Sequence, residues 1–401
     1  VEYIVAASAL IWICILIAPW RPWSVRERLE SEEITVSDTL GDLTVLIPAR
    51  NEAECVQRAV TSAIRQGPGV SVLVIDDQSD DDTAAMARSA GQGRAAVIAG
   101  SPLPSGWTGK LWALEQGRLH AQTKFLLLLD ADIELNPGII STMRRKMKRE
   151  KLHFISLMVE LRMKSFWEKL LMPAFIFFFK LLYPFRISNS GSRLVSAAAG
   201  GCILLETRVL SEIGGFAAIK DALIDDCALA KKVKEKGFRA WIGLTRSARS
   251  LRAYDELGTI WKMVERTAFT QLHYSVSLLV FLTAIMLTAF WAPLAHLALT
   301  PMSKGSVVAL IAIGAMVASY LPTLIYYGMT GWWSLLLPFI GALYLAMTWT
   351  SAIRYAQGRR SEWKGRAYHR AGQPRSPTTP HGRSGGRVEE ESVRRHNNHV
   401  I

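Results

Sequence analysis

FLLLLDAD, residues 125–132, decides how the rest of the chain is read. Four consecutive leucines leave no polar face, so the segment suits a strand covered on both sides, as in a parallel sheet. It runs straight into Asp130-Ala131-Asp132. Two carboxylates at i and i+2 on extended backbone point to the same side. They are costly to bury without a counter-charge. A divalent cation, Mg²⁺ or Mn²⁺, bridging to a diphosphate meets that need, because such ions take few protein oxygens and complete their shell with phosphate.

Outward from this strand, LTVLIP (43–48), SVLVID (71–76) and AAVIAG (95–100) are further short apolar runs, with helical spacing between them. HFISLMVEL (153–161) and CILLE (202–206) read as later strands. The alternation predicts an α/β unit over 42–270 with a mostly parallel sheet and helices on both faces. The strand ends are acidic. The first leads into Pro48-Ala49-Arg50-Asn51-Glu52 and the second into Asp76-Asp77-Gln78-Ser79-Asp80-Asp81-Asp82-Thr83. Open α/β sheets bind ligands at the C-terminal ends of their strands. Ser79 or Asp80 suits the cap of the next helix, but capping does not require Asp76 and Asp77 on the strand itself.

Lys110 follows Gly109 at a predicted helix start, a place suited to anion contact. This is not a P-loop, because the position five before Gly109 is Pro104. No GxGxxG follows the first strand, so a dinucleotide fold is unsupported. Gly200-Gly201 and Asp225-Asp226 complete the candidate set. The acidic pair reads either as a helix cap or as a source of a general base.

Composition bounds the class. Of 401 residues, 50% are hydrophobic and 20% charged, and the mean hydropathy is +0.18. That excludes a disordered chain and fits poorly with a purely soluble enzyme. Cys14, Cys55, Cys202 and Cys227 are far apart, with no CxxC, so neither a zinc ribbon nor a disulfide scaffold is indicated. Residues 1–20 read as an apolar anchor followed by Arg21, Arg26 and Arg28, the charge order of a segment whose C-terminal side is cytoplasmic. Apolar stretches at about 275–299, 306–328 and 332–353 are each long enough to cross a bilayer of roughly 30 Å; together they form a membrane region over 274–353. PAFIFFFKLLYPF (173–185), within 165–186, reads as a helix lying in the membrane interface. From Arg354 onward eleven Lys/Arg stand against four Glu, +7 of the chain's +13. This basic tail, disordered by composition over 358–401, points to anionic lipid and not to nucleic acid. The positive-inside rule would keep it in the cytoplasm, whereas three full crossings would put it outside; three crossings are the expectation here.

In their order along the chain, IPARNE, DDQSDDDT, GK, DAD, GG and DD-x-x-L resemble the inverting glycosyltransferases of family 2, which have the GT-A fold. WTGKLWA, SLMVELRMKS, LLMPAFIFFF, AAAGGCILL and ALIDDCALAKKVKEKG are similar to one branch, the hopanoid-associated membrane glycosyltransferases of bacteria. The resemblance implies a nucleotide-sugar-binding sheet, a nucleotide-sugar donor and a divalent metal. It also implies a lipid acceptor, a hopanoid or another polyprenyl or glycolipid, and a multi-pass protein of the bacterial inner membrane with its catalytic domain cytoplasmic. Residue by residue, Glu52, Asp76 and Asp77 would line the nucleoside pocket. Asp130 and Asp132 would face the diphosphate, with Asp132 as metal ligand, and Lys110 would contact the donor. Asp226, beside Asp225, would be the catalytic base. Gly200 and Gly201 would admit the sugar or acceptor. Arg266 falls near the family's Q-x-x-R-W, but Met263 and Thr267 replace Gln and Trp, which favours a single transfer over polymer synthesis. A nucleotidyltransferase would need a Gly/Arg-rich loop that PARNE lacks. A non-catalytic membrane scaffold would not need intact acid pairs.

Overall fold

Apolar runs ending in carboxylates become the central strands of the computed structural model, which describes residues 2–32 and 39–358 and the backbone of a short antiparallel ladder, Glu362–Trp363 with Arg366–Ala367. The tail expected to be disordered otherwise lies outside the described residues. The first half comprises α1 (Glu2–Ile17), β1 (Leu43–Ala49), α2 (Val56–Ile64), β2 (Ser71–Asp76), α3 (Thr83–Gly91), β3 (Ala95–Ala99), α4 (Gly109–His120), β4 (Phe125–Leu129), β5 (Ile133–Leu135) and α5 (Ile139–Glu150). Then come β6 (Phe154–Glu160), α6 (Phe166–Leu182), α7 (Phe185–Ser188), β7 (Cys202–Glu206), α8 (Thr207–Glu212), α9 (Asp225–Glu235), β8 (Ala240–Ser250), α10 (Leu257–Glu265) and α11 (Ala268–Gln271). The C-terminal helices are α12 (Val276–Met286), α13 (Ala292–Leu299), α14 (Lys304–Tyr326) and α15 (Leu337–Ala356).

Eight strands form one sheet in the order β3-β2-β1-β4-β7-β6-β8-β5. The first four are mutually parallel. β7 runs against both its neighbours, β6 and β8 are parallel, and β5 is antiparallel at the edge. The sheet is therefore mixed in its second half, and parallel pairings predominate only slightly. Alternation explains the leucine run: Leu127 and Leu129 pack with α2, α3 and α5 on one face, while Leu126 and Leu128 pack with α4, α8 and α9 on the other. Because β2, β1 and β4 are adjacent and parallel, their acidic ends emerge on one edge, with Asp76 and Asp130 two strand spacings apart, about 10 Å.

Val276–Leu299, Lys304–Tyr326 and Gly331–Ala356 are long and apolar enough to cross a membrane. α1, at 16 residues, is about 24 Å long and packs beside α13 and α14. A π-helical turn over Leu287–Trp291 joins α12 to α13. Such a turn leaves backbone carbonyls without their usual partners. Ser8 Oγ and Trp12 Nε1 of α1 donate to the Ala289 carbonyl at 2.9 and 2.8 Å, so α1 is tied to this turn by polar bonds as well as packing.

The expectation that 165–186 lies on a membrane surface is corrected in part. Ser165 and Glu168 form a reciprocal cap that starts α6 earlier than its apolar run. Leu170, Leu171, Met172, Ala174 and Phe177 are then buried against α1, α10, α14 and α15. Aromatic residues cover most of the helix, so it packs on both sides as a wedge between the sheet unit and the C-terminal helices. Lys180 is 2% exposed, with Nζ 3.4 Å from the Trp23 carbonyl and 3.5 Å from Thr323 Oγ1. Burial pushes this amine down to about 7, against a weaker pull upward from Glu27. A lysine with a depressed folded-state pKa costs stability that grows as pH falls from the free lysine value to the folded one and is complete below it. Lys180→Met is therefore expected to raise the melting temperature at about pH 6, with the gain shrinking as pH approaches the free lysine value near 10. Thermal unfolding across that range checks it, and a variant less stable than wild type at both ends would contradict the account.

Candidate functional site

The acidic edge of the sheet carries two clusters joined by one arginine. On the β1–β2 side, Asp77 is fully buried and its N–H donates to the Ala49 carbonyl at 2.8 Å. The Arg50 guanidinium donates to the carbonyls of Asp77 and Gln78, both at 2.6 Å. Asn51 and Gln78 hold φ of 51° and 56°, a left-handed conformation uncommon for side chains larger than glycine and often kept at functional sites. Asn51 Oδ1 accepts from Asp80 N–H, and Ser79 Oγ accepts from Asn51 N–H, which locks the two strand ends together. Neither Ser79 nor Asp80 caps α3; the Asp81 carboxylate takes the Thr83 N–H at 3.0 Å. Asp76 presents a buried Oδ1 with no hydrogen-bond partner.

On the β4–β7 side, Lys110 at the start of α4 reaches Asp130 Oδ1 at 2.7 Å and Asp225 Oδ2 at 3.8 Å. Burial works against its charge, but Asp130 and Asp225 outweigh burial and hold the ammonium protonated. Lys110 is thus the counter-ion of the acid cluster. Asp225 and Asp226 form the first turn of α9, and Asp226 Oδ1 accepts the Cys227 N–H at 2.7 Å. A Cβ at Gly200 would stand 3.1 Å from Lys110 Nζ and 3.4 Å from Asp226 Oδ2, so glycine leaves the ammonium and this carboxylate the room they occupy. Gly201 acts through its carbonyl, which accepts the Asp130 N–H at 3.1 Å. Lys110, Gly200, Asp225 and Asp226 line one recess. Burial, then the Asp225 carboxylate, pushes Asp226 up to about 7. Asp130 is also raised, first by burial.

Sequence reasoning missed the link between the clusters. Arg252, just beyond β8, bonds Asp132 Oδ2 through Nε at 3.0 Å and Glu52 Oε1 through Nη2 at 2.5 Å. Ser250 Oγ also donates to Asp132, at 3.2 Å. β8 was not foreseen, because the second half of AWIGLTRSARS has no apolar run. The available clue was charge: seven candidate carboxylates against Lys110 and Arg266 alone call for another cation. Arg266, at the C-terminus of α10, is exposed, and its charge bears on Tyr254, which also feels Arg252 and Asp132. It therefore sits close enough to the site for its charge to be felt there. Tyr183, at the end of α6, donates to Gln271 of α11 at 2.5 Å. Burial, then Cys227 and Asp226, lifts its phenol to about 12, so the end of α6 reaches the neighbourhood of Asp226.

Asp130 and Asp132 fit a divalent cation by donor chemistry, offering hard carboxylate oxygens at the strand end. Among the described residues no group of three or more His, Cys, Asp or Glu forms a ready cage. That matches an ion that completes its shell with phosphate and water.

The mixed sheet with acidic strand ends has the GT-A fold. Residues 44–214 match the family profile described as Glycosyl transferase family 2. The mannosyltransferase of Pyrobaculum calidifontis in complex with GDP-Man and Mn2+ superposes with a TM-score of 0.54 at 16% identity, over 87% of this chain and 99% of that one. The 4,4'-diaponeurosporenoate glycosyltransferase of Staphylococcus haemolyticus is 31% identical over 121 residues, 30% of this chain and 32% of that protein. Its counterpart in Staphylococcus aureus strain MRSA252 is 40% identical over 91 residues, 23% of this chain and 24% of that protein. The chain thus matches about a third or less of the length of these curated relatives.

Two predictions follow from the geometry. Because the folded-state pKa of Asp226 is raised, its burial cost grows as pH rises from the free carboxyl value of about 4, is complete above about 7 and is nearly absent at about 4. Asp226→Asn should therefore melt above wild type at about pH 8 and level with it near pH 4, as thermal unfolding would report. Arg252→Gln releases two carboxylates, so Mn²⁺ should bind the donor-free protein severalfold more tightly. A titration followed by electron paramagnetic resonance measures this, and unchanged affinity would remove Arg252 as a competitor for the cation.

Proposed function

We propose that this chain is a membrane-bound inverting glycosyltransferase that moves one sugar from a nucleotide-diphosphate donor to a lipid acceptor of the polyprenoid class. The observation that carries it is Asp226 beside Lys110 and Gly200 in one recess, with Lys110 also paired to Asp130 and the Tyr183 phenol near enough to feel the Asp226 charge. Asp226 deprotonates the acceptor hydroxyl, which its near-neutral pKa allows. The oxygen attacks the anomeric carbon as the diphosphate departs from the opposite face, which inverts the configuration. Glu52, Asp76 and Asp77 hold the nucleoside at the β1–β2 edge. Lys110 and Arg252 supply positive charge near the leaving group. A divalent ion held by Asp130 and Asp132 would add Lewis-acid stabilisation of the same departing charge.

The acceptor class is supported by the curated relatives, whose names specify transfer to 4,4'-diaponeurosporenoate, and by the apolar helices packed against the site. A hopanoid as the particular acceptor rests on the resemblance of the sequence strings. The departure at Met263 and Thr267 supports one transfer per acceptor. The catalytic unit sits on the cytoplasmic side in this reading, supported by exposed Arg21, Arg26 and Arg28 where α1 meets it.

The test is direct. Full-length protein in membranes is offered labelled UDP- and GDP-sugars, and lipid extracts are compared by mass spectrometry. A new glycosylated lipid is expected with Mg²⁺ or Mn²⁺, lost with EDTA and in Asp132→Ala. Asp226→Asn should lower turnover by roughly 10²–10⁴-fold with donor binding retained. Turnover of Asp226→Asn near wild type would remove this base. Full activity in EDTA would remove the metal.

A further inference from the structure

A helix that crosses a bilayer carries its two ends to opposite faces, about 30 Å apart. α15, at 20 residues, is about 30 Å long and meets the requirement by length. Its contacts tie it differently. α14 ends on the sheet unit: Tyr326 Oη donates to Glu30 at 2.8 Å, Glu30 accepts from Arg246 N–H at 2.9 Å and Ser247 Oγ at 2.8 Å, and the Arg246 guanidinium lies 5.3 Å from the Tyr326 ring. The chain turns at once into a 3₁₀ segment, Gly331–Leu336. There Trp333 stands 6.0 Å from the ring of Phe166, the first residue of α6. That end of α6 is fixed to the sheet unit, since Glu168 accepts from Arg162 and from Tyr254 N–H, both at 2.8 Å.

The middle of α15 lies between α6 and α12: Tyr344 Oη donates to the Leu171 carbonyl at 2.9 Å and its ring is 5.2 Å from Phe178, while Trp349 Nε1 donates to Thr283 Oγ1 at 3.0 Å. Its last turns bind residues 265–274, which link the sheet unit to α12. Ser351 Oγ accepts the Phe269 N–H at 3.1 Å and donates to the Glu265 carbonyl. Arg354 pairs with the Glu265 carboxylate at 2.5 Å, and Tyr355 stacks on Tyr274 at 4.4 Å. The opposite end of the bundle is marked elsewhere. His296 Nε2 meets Ser303 Oγ at 2.8 Å, and a Cβ at Gly305 would lie 2.6 Å from the His296 ring and 3.5 Å from Glu2.

From these contacts we infer that α15 is re-entrant: it enters and leaves the bilayer on the catalytic face. Val276–Leu299 crosses away and α14 crosses back, so Arg354 emerges on the same side as Arg21, Arg26 and Arg28. This removes the conflict between a basic chain end and three crossings, because the cationic turn stays where the positive-inside rule requires it. It also gives α15 a task. By clamping α10 and α11 it holds Gln271, the partner of Tyr183, against the recess that contains Asp226.

The inference rests on reading the apolar helices as membrane-embedded, and one experiment separates the two. Full-length protein with Cys14→Ser and Cys55→Ser keeps only the buried Cys202 and Cys227. Single cysteines are then introduced by Gln357→Cys, Lys236→Cys or Met302→Cys, all at exposed positions. Right-side-out and inverted vesicles are treated with a membrane-impermeant maleimide. Gln357→Cys and Lys236→Cys are expected to label from one face, and Met302→Cys from the other. Labelling of Gln357→Cys together with Met302→Cys, opposite Lys236→Cys, overturns the re-entrant assignment and leaves the membrane reading intact. Equal labelling of all three variants in both preparations overturns the membrane reading and the inference with it.

Discussion

Carboxylates gathered on one edge of a sheet must be neutralised, and this requirement organises the molecule. Five acids, Glu52, Asp130, Asp132, Asp225 and Asp226, come from three separate segments and share two fixed cations, Lys110 and Arg252. Each cation bridges acids from different segments, so the counter-charges also act as cross-links. Lys110 ties α4 to β4 and α9; Arg252 ties the end of β8 to the β1 and β4 loops. Acids still outnumber cations here, which is the electrostatic condition for admitting a further cation together with a diphosphate, and it leaves Asp226 protonatable near neutral pH.

The second organising feature is mechanical. α6 is inserted between β6 and β7, yet its side chains belong to the core shared with α1, α14 and α15. Its N-terminus is held by the buried Glu168 and its C-terminus presents Tyr183 to the acidic recess. The segment around Glu30 provides a second attachment, pairing with β8 through Leu29 and Leu244 while it receives Tyr326 from α14. The acidic edge and the apolar helices are therefore one packed body joined at two places.

How much of this was legible in the sequence depended on whether the signal was local. The strands around Leu127, Val45 and Val74 were readable because burial on both faces demands unbroken apolar runs. Asp76, Asp77, Asp130 and Asp132 were readable as candidates because carboxylates that end an apolar strand need a counter-charge, whereas Asp225 and Asp226 could equally have been a helix cap. β8 was hidden because its second half, TRSARS, pairs by backbone at the sheet margin, and Arg252 was hidden with it. α6 looked like a surface-lying helix because sequence reports apolarity without saying whether lipid or protein will cover it.

The sequence by itself determined the acids, their placement at strand ends and the apolar lengths of the C-terminal segments, since each follows from residues adjacent in the chain. Only the tertiary structure decided which charges neutralise one another, on which side β7 reverses the sheet, and where the two ends of α15 attach. Those outcomes depend on pairings such as Arg252 with Glu52 and Arg354 with Glu265, whose partners stand far apart in sequence. No local pattern encodes such a pair, because the two charges meet only when folding brings their segments together.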